Sequence, residues 1–366
     1  MSADRVNVLH VLGGTELRGG TASVVGRLCT LKLDGVTQRI WMQKEFLPPE
    51  QGGLFVCAGS ATQVNGSVFH DALAGWGEAR ALSAWLKRER RVVLHAHSRV
   101  GMVAASLAGS WRRVPVVLHA HFLPRRPWIY HALQRCGRAE WVYNSHQTCR
   151  HFGAAPERSF VMLPDVDWPH APLPTGDRRL RFVAAGAFVP GKHLDVLAAA
   201  FRRLRASGVE AQLALFGQSP TPADPECQRS IKTACAGDPA IKVHPWSADW
   251  TQALTAGDVF VHLGAPESFG LVILEAFARG CRVVVLPRTF LDELPAPHGQ
   301  AGVFRADALD AESVSTALAA AAANQDASTE NLWAQRRAVQ GVFCMEQHAA
   351  HLSLWYSDMA SRAATE

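Results

Sequence analysis

Two glutamates, Glu267 and Glu275, stand with seven residues between them in the stretch PESFGLVILEAFARG. A carboxylate accepts hydrogen bonds from hydroxyl groups, and the first N–H groups of a helix attract an anion through their unsatisfied donors and the positive end of the dipole. Ser268, Phe269, Gly270 and Leu271 lie between the two acids and would supply such amides. The apolar pattern of LVILEAFA, ended by Arg279-Gly280, predicts a helix. Glu267 is expected in the loop just ahead of this helix and Glu275 about two turns inside it, about 10 Å further on. The plain alternative is that Glu267 complements the dipole and Glu275 is solvated. The apolar company of Glu275 argues against that.

A nucleoside diphosphate sugar has the matching layout: sugar hydroxyls at one end, a diphosphate in the middle, ribose hydroxyls at the other. The spacing of Glu267 and Glu275, the Phe-Gly-Leu between them and the following Gly-Cys-Arg-Val-Val-Val resemble the E-x7-E signature of retaining glycosyltransferases of the GT-B fold, family four. The resemblance implies that Glu267 holds donor-sugar hydroxyls and Glu275 the ribose, with the amides of Ser268 to Leu271 on the diphosphate. It further implies that Lys192, in Gly186-Ala-Phe-Val-Pro-Gly-Lys-His193, neutralises the leaving diphosphate. There the family's arginine is replaced by Ala187 and its glycine by His193. Arg18, Arg99 or His193 would have to compensate. Gly19-Gly20, in a glycine loop between a first strand and a helix, match the family's diphosphate loop, and His121 matches a histidine lining the sugar and acceptor side. His97 and Arg99 are weaker matches. Gly217-Gln-Ser-Pro220 and Trp246 depart from the family's nucleotide-reading turns, and Pro164-Asp-Val-Asp167 lacks its usual glycine.

Two predicted strands end in paired histidines, His95-Ala-His97 and His119-Ala-His121. Residues two apart share a strand face, so each pair could offer two metal ligands. No third ligand stands out in the sequence, and the expectation is no metal and no cofactor, with the nucleotide sugar as co-substrate. The eight cysteines form no C-x-x-C pair, which excludes a zinc ribbon or a disulfide scaffold and fits a reduced cytoplasmic setting.

Charge is uneven. Residues 1–170 carry 20 Lys and Arg against 12 Asp and Glu; the remainder carries 17 against 20. The basic half should face an anionic partner. Lys87-Arg-Glu-Arg-Arg91, Trp111-Arg-Arg113 and Pro124-Arg-Arg-Pro-Trp128 read first as solvated surface, and second as a peripheral contact with an anionic membrane at its inner face. No Lys/Arg tract interleaved with aromatics marks a nucleic-acid module. There is neither a signal-peptide pattern at the start nor a membrane-length apolar run.

Strands alternate with helical patterns. Expected strands are 6–12, 40–43, 92–95, 116–118, 141–144 and 160–163, then 182–186, 212–216, 241–244, 259–262 and 283–285. Helices are expected at 21–33, 78–88, 100–108, 194–205, 227–236, 250–255, 311–323 and 331–339, and an amphipathic segment at 345–359. This alternation predicts an α/β architecture of two doubly wound Rossmann-like domains facing a cleft, the GT-B arrangement. The expected divisions are an acceptor-binding domain over 1–172, a nucleotide-sugar domain over 173–344, and a C-terminal helix over 345–366 returning to the first domain. The resulting expectation is a retaining, metal-independent transferase. It would move a sugar from UDP or GDP to a hydroxyl of a glycan, lipid-linked or small-molecule acceptor. The alternatives are a silent binding homologue, motivated by Ala187, or a nucleotide-sugar epimerase.

Overall fold

A computed structural model describes residues 5–12, 20–42, 55–57, 68–153, 159–174, 179–218, 231, 233, 235, 237–247, 249–264, 267–296, 298–324 and 329–365. The chain divides into two compact units, residues 1–165 with 344–366, and residues 166–343. The division after Asp165 falls ahead of the proline-rich segment expected to end the first domain.

In the first unit seven parallel strands are ordered β3-β2-β1-β4-β5-β6-β7. They are β1 (Val6–Val11), β2 (Val36–Met42), β3 (Phe55–Cys57), β4 (Val92–Ala96), β5 (Val116–Ala120), β6 (Glu140–Tyr143) and β7 (Ser159–Val161). Helices α1 (Gly20–Thr30), α2 (Val68–Leu86), α3 (Arg99–Arg112), α4 (Pro127–Gly137) and α5 (His146–Phe152) connect them. β4 and β5 share the sequence VVLHA and are buried at every position. A parallel sheet covered on both faces requires this, because neither side reaches water. One face, with Leu9, Leu94, Ala96, Leu118 and Ala120, joins the core that includes Met102 and Ala105 of α3. Ser98 caps α3 by accepting from the Gly101 amide at 3.0 Å, the usual role of a serine at that position.

In the second unit six parallel strands are ordered β10-β9-β8-β11-β12-β13. They are β8 (Leu180–Ala187), β9 (Ala211–Gln218), β10 (Ile241–His244), β11 (Val259–His262), β12 (Arg282–Val285) and β13 (Val303–Arg305). Helices α6 (Leu194–Ala206), α7 (Leu271–Ala278), α8 (Ala311–Ala323) and α9 (Thr329–Arg337) accompany them. The segment expected as a helix from Trp250 is a single 3-10 turn, Trp250–Ala253, and most of 227–236 lies outside the described residues. The three-residue β3 went unpredicted, being too short to show a period.

The last helix, α10 (Ala349–Thr365), belongs to the first unit and contacts β1, β2 and β4. Polar anchors fix it: the Asp34 amide donates to Ser353 Oγ at 3.0 Å, and Trp355 Nε1 and Arg362 Nη2 both donate to buried Glu140 at 2.6 and 2.7 Å. Buried Tyr356 presents its hydroxyl to the sheet.

Helix α7 has an unusual C-terminal anchor. Arg336 of α9 is fully buried, with its guanidinium 4.0 Å from the Phe277 ring centroid. It donates to the carbonyls of Phe277, Cys281 and Ala301. Burial lowers its pKa to about 9, so it remains a cation at neutral pH, set against the negative end of the α7 dipole. Replacing Arg336 by Met fills similar volume but strands these buried carbonyls. We expect the second unit to lose about 3 kcal/mol, read as a lower denaturation midpoint by tryptophan fluorescence. A midpoint unchanged from wild type would refute this anchoring role.

Candidate active site

In the second unit the chain leaves β8 toward β9 and β10 on one side, then returns to β11, β12 and β13 on the other. The strand order therefore reverses between β8 and β11. Loops leaving the carboxyl ends of the two strands diverge there and open a crevice, the usual ligand position in such sheets. Lys192 ends the 3-10 turn after β8, and Glu267 lies in the segment after β11.

These two residues meet. Lys192 Nζ donates to Glu267 Oε2 at 2.9 Å, and the same oxygen lies 3.0 Å from Nε2 of His262, the last residue of β11. Glu267 Oε1 accepts from the Ser268 amide at 3.2 Å. Burial pushes the Glu267 carboxyl up, but the hydrogen bond from His262 and the Lys192 ammonium outweigh it and bring the pKa down to about 2. Burial lowers His262, only partly opposed by its bond to Glu267. The consistent state is a neutral imidazole donating Nε2–H to a carboxylate. Gly264 makes room for this group: a Cβ there would come within 2.7 Å of His262 Nε2, 3.1 Å of Lys192 Nζ and 3.3 Å of Glu267 Oε2. Neither His262 nor Gly264 stands out by sequence reasoning. Their only signal is that His262 ends, and Gly264 closely follows, the strand preceding Glu267.

Helix α7 starts at Leu271, because Gly270 takes φ +88° and accepts from Ile273 and Leu274 as the helix cap. Only glycine adopts that conformation at no steric cost. This corrects the expected depth of Glu275, which lies little more than one turn inside the helix. The Ser268 amide is already bonded to Glu267, leaving the Leu271 and Val272 amides as the helix's first two. Phe269 is buried and stacked on Phe290 at 4.6 Å, so it fixes the loop from the core side. Glu275 is partly exposed and accepts from Trp250 Nε1 at 2.9 Å. Trp250 is itself buried, which gives the carboxylate a fixed orientation.

The residues flanking Lys192 account for one departure from the family pattern. His193 has φ 49°, the left-handed region that favours glycine, and it serves as the cap of α6. Ala187 is exposed at the end of β8. Of the residues expected to compensate for it, Arg18 lies outside the described residues, as does Gly19, and Arg99 in the first unit is ion-paired to Asp71 at 3.4 Å. Gly20 opens α1.

In the first unit the reversal of strand order falls between β1 and β4, and His121 lies beside it in a cluster with His10, His95, His97 and His119. His10 and His95 are register partners on adjacent strands. His10 Nδ1 lies 2.9 Å from His97 Nε2, and His97 Nδ1 lies 3.0 Å from His121 Nε2. His95 Nδ1 meets the Tyr356 hydroxyl at 2.8 Å. Burial lowers all five pKa values, with His10 at about 4 and His121 at about 3. The third and further histidines that paired spacing left unidentified thus come from β1 and from the neighbouring pair.

Residues 179–324 match the model of the family described as glycosyl transferases group 1. The match falls within the second unit. No curated protein matches the chain by sequence. Among solved structures, the chain is similar to a glycosyltransferase from Rickettsia africae ESF-5, at 15% identity and TM-score 0.71, covering 97% of this chain and 99% of that one. It is similar to Anabaena HepE in complex with UDP and glucose, at 14% identity and TM-score 0.69, covering 98% and 99%. It is also similar to sucrose-phosphate synthase from Thermosynechococcus elongatus, at 15% identity and TM-score 0.74, covering 98% and 100%. These likenesses establish the GT-B fold, two Rossmann-like α/β units. No described helix is long and apolar enough to cross a membrane.

Within the second unit, Glu267 provides a pH signature. Its carboxyl is lowered from 4.5 to about 2, so the stabilisation it gives is complete above 4.5 and is lost as pH falls toward 2. It amounts to about 3 kcal/mol. Glu267→Gln should therefore be less stable than wild type at pH 7, with the difference shrinking between pH 5 and pH 2 in urea titrations. A pH-independent difference would contradict the pairing.

Proposed function

We propose that the chain transfers a glycosyl group from a nucleoside diphosphate sugar to a hydroxyl acceptor with retention at the anomeric carbon. The observation that carries this reading is the Glu267 carboxylate, gripped by Lys192 and His262 at the strand-order reversal and directly ahead of the α7 amides. Glu267 would take donor-sugar hydroxyls, Glu275 the ribose hydroxyls, and Lys192 with the Leu271 and Val272 amides the diphosphate. Gly19-Gly20 would add main-chain donors to the diphosphate, and His121 would line the sugar and acceptor side. This donor set needs no metal ion to answer the diphosphate's charge.

The bond from the anomeric carbon to the diphosphate oxygen breaks, and a bond from that carbon to the acceptor oxygen forms on the same face. The acceptor's proton passes to the leaving phosphate oxygen. The protein's part is to position the two reactants and to stabilise the developing negative charge. UDP or GDP is the expected nucleotide, and a glycan, lipid-linked or small-molecule hydroxyl the expected acceptor. The UDP complex of HepE supports the choice of UDP. A peripheral contact of the first unit with an anionic membrane has support from exposed Trp128, beside Arg125 and Arg126 at the start of α4.

Ala187 favours a second reading, a nucleotide-binding homologue without turnover. The two readings separate by assay: with donor and acceptor supplied, a transferase releases nucleoside diphosphate, and a binding protein only saturates. A thermal-shift series with UDP, GDP, ADP and dTDP would identify the nucleotide, because a ligand bound only to the folded form raises the melting temperature.

Glu275→Ala should weaken nucleotide binding about tenfold, the loss of one or two hydrogen bonds to a charged group. Lys192→Ala should lower kcat about 100-fold or more with a smaller change in KM. Calorimetry and initial rates check the pair, and indifference to both changes would refute this donor site.

A further inference from the structure

The five-histidine cluster of the first unit is not used by the transfer reaction proposed above, apart from His121. Three neighbouring strands contribute it: His10 on β1, His95 and His97 on and just after β4, His119 and His121 on and just after β5. The hydrogen bonds around it fix the tautomers along one branch. Gln38 Nε2 donates to the carbonyls of Leu28 and Leu31 at 2.8 and 3.1 Å, so its oxygen faces His10 and must accept from His10 Nε2–H. His10 Nδ1 therefore carries a lone pair and accepts from His97 Nε2–H. That leaves a lone pair on His97 Nδ1, the atom 3.0 Å from His121 Nε2.

His119 is fully buried, and neither of its ring nitrogens has a hydrogen-bond partner among the described residues. Leaving even one such atom unsatisfied costs about 1–3 kcal/mol. Its ring lies 3.9 Å from that of His121 and 5.2 Å from that of His97, centroid to centroid. One ligand atom from each of His97, His119 and His121 can be chosen so that all three lie within 4.8 Å of one another.

We propose that the first unit binds a single zinc-type divalent metal ion through His97, His119 and His121. Three neutral imidazoles suit zinc, copper or nickel rather than magnesium or calcium. A tetrahedral ion with bonds of about 2.0 Å places its ligand atoms about 3.3 Å apart, close to the spacing that His97 and His121 already have. His97 Nδ1 coordinates while its Nε2–H remains on His10, and Gln38 holds His10. This is the outer-shell support that metal-bound histidines ordinarily have. The proton on His121 Nε2 moves to Nδ1, which frees Nε2 for the metal without a net loss of protons from the three rings. The other close triplet, His10, His95 and His97, is wholly buried. His121 is only partly so, and it gives the ion its entrance. The fourth position is left for water or another small ligand. The ion is held by the first unit alone, so failure of this proposal leaves the donor site of the second unit untouched.

The test uses the untagged full chain, stripped with a chelator and dialysed against Zn²⁺ or Co²⁺. We expect one metal ion per chain at micromolar affinity or tighter. The cobalt form should show the intense visible absorption of a four-coordinate site, and X-ray absorption of the zinc form should count three imidazoles at about 2.0 Å. His119→Ala should weaken binding at least 100-fold in a chain whose circular dichroism is native. If that variant does not fold, the imidazole count on the wild type decides alone. No zinc retained, an octahedral cobalt spectrum, fewer than three imidazoles, or full binding by a folded His119→Ala would each overturn the site. The first of these would leave buried water as the partner of His119.

Discussion

In each unit a parallel sheet must be approached by connections that return over one face or the other, and where the direction of winding changes, two adjacent strands send their chains apart. The second unit changes direction between β8 and β11, the first between β1 and β4. Everything chemically notable follows from those two gaps. Lys192 and Glu267 are far apart in sequence and meet because β8 and β11 are neighbours. His10 and His95 meet for the same reason in the other sheet.

The two gaps are furnished differently. In the second unit an ammonium and a neutral imidazole N–H share one carboxylate oxygen, so that Glu267 stays ionised in a largely buried place. A carboxylate kept charged is a strong acceptor for hydroxyl groups, and a lysine already nearby can exchange that partner for a phosphate. In the first unit neutral imidazoles replace ions. Burial suppresses their protonation, so that close pairs join one N–H to one lone pair, and both nitrogens of His119 lack partners among the described residues. The first arrangement suits an anionic sugar nucleotide; the second suits a cation that accepts lone pairs.

Support from outside the two gaps sets their precision. Arg336 closes the far end of α7 with donors that the helix's last carbonyls would otherwise lack, while Gly270 sets where the helix begins. Glu275 is aimed by Trp250, and Trp250 is held by the core. On the first unit α10 lays Tyr356 against His95, with Glu140 gripping two of its side chains.

Much of this was legible in the residues. The apolar run at 259–262 matched its strand to the residue, and the Ala-rich helix at 311–323 did likewise, because burial on both faces or along one stripe leaves a local imprint. Lys192 and the two glutamates stood out through motif resemblance. What the chain could not disclose by itself was partnership. His262, Gly264 and Trp250 carry no local mark of their roles, and His10 lies within an ordinary strand pattern. Sequence determined the order and period of the elements, since those depend on neighbours within a few positions. The tertiary structure alone decided which strands lie side by side, and hence which carboxylate meets which lysine and which histidines share a pocket, because strand pairing joins residues that no local pattern connects.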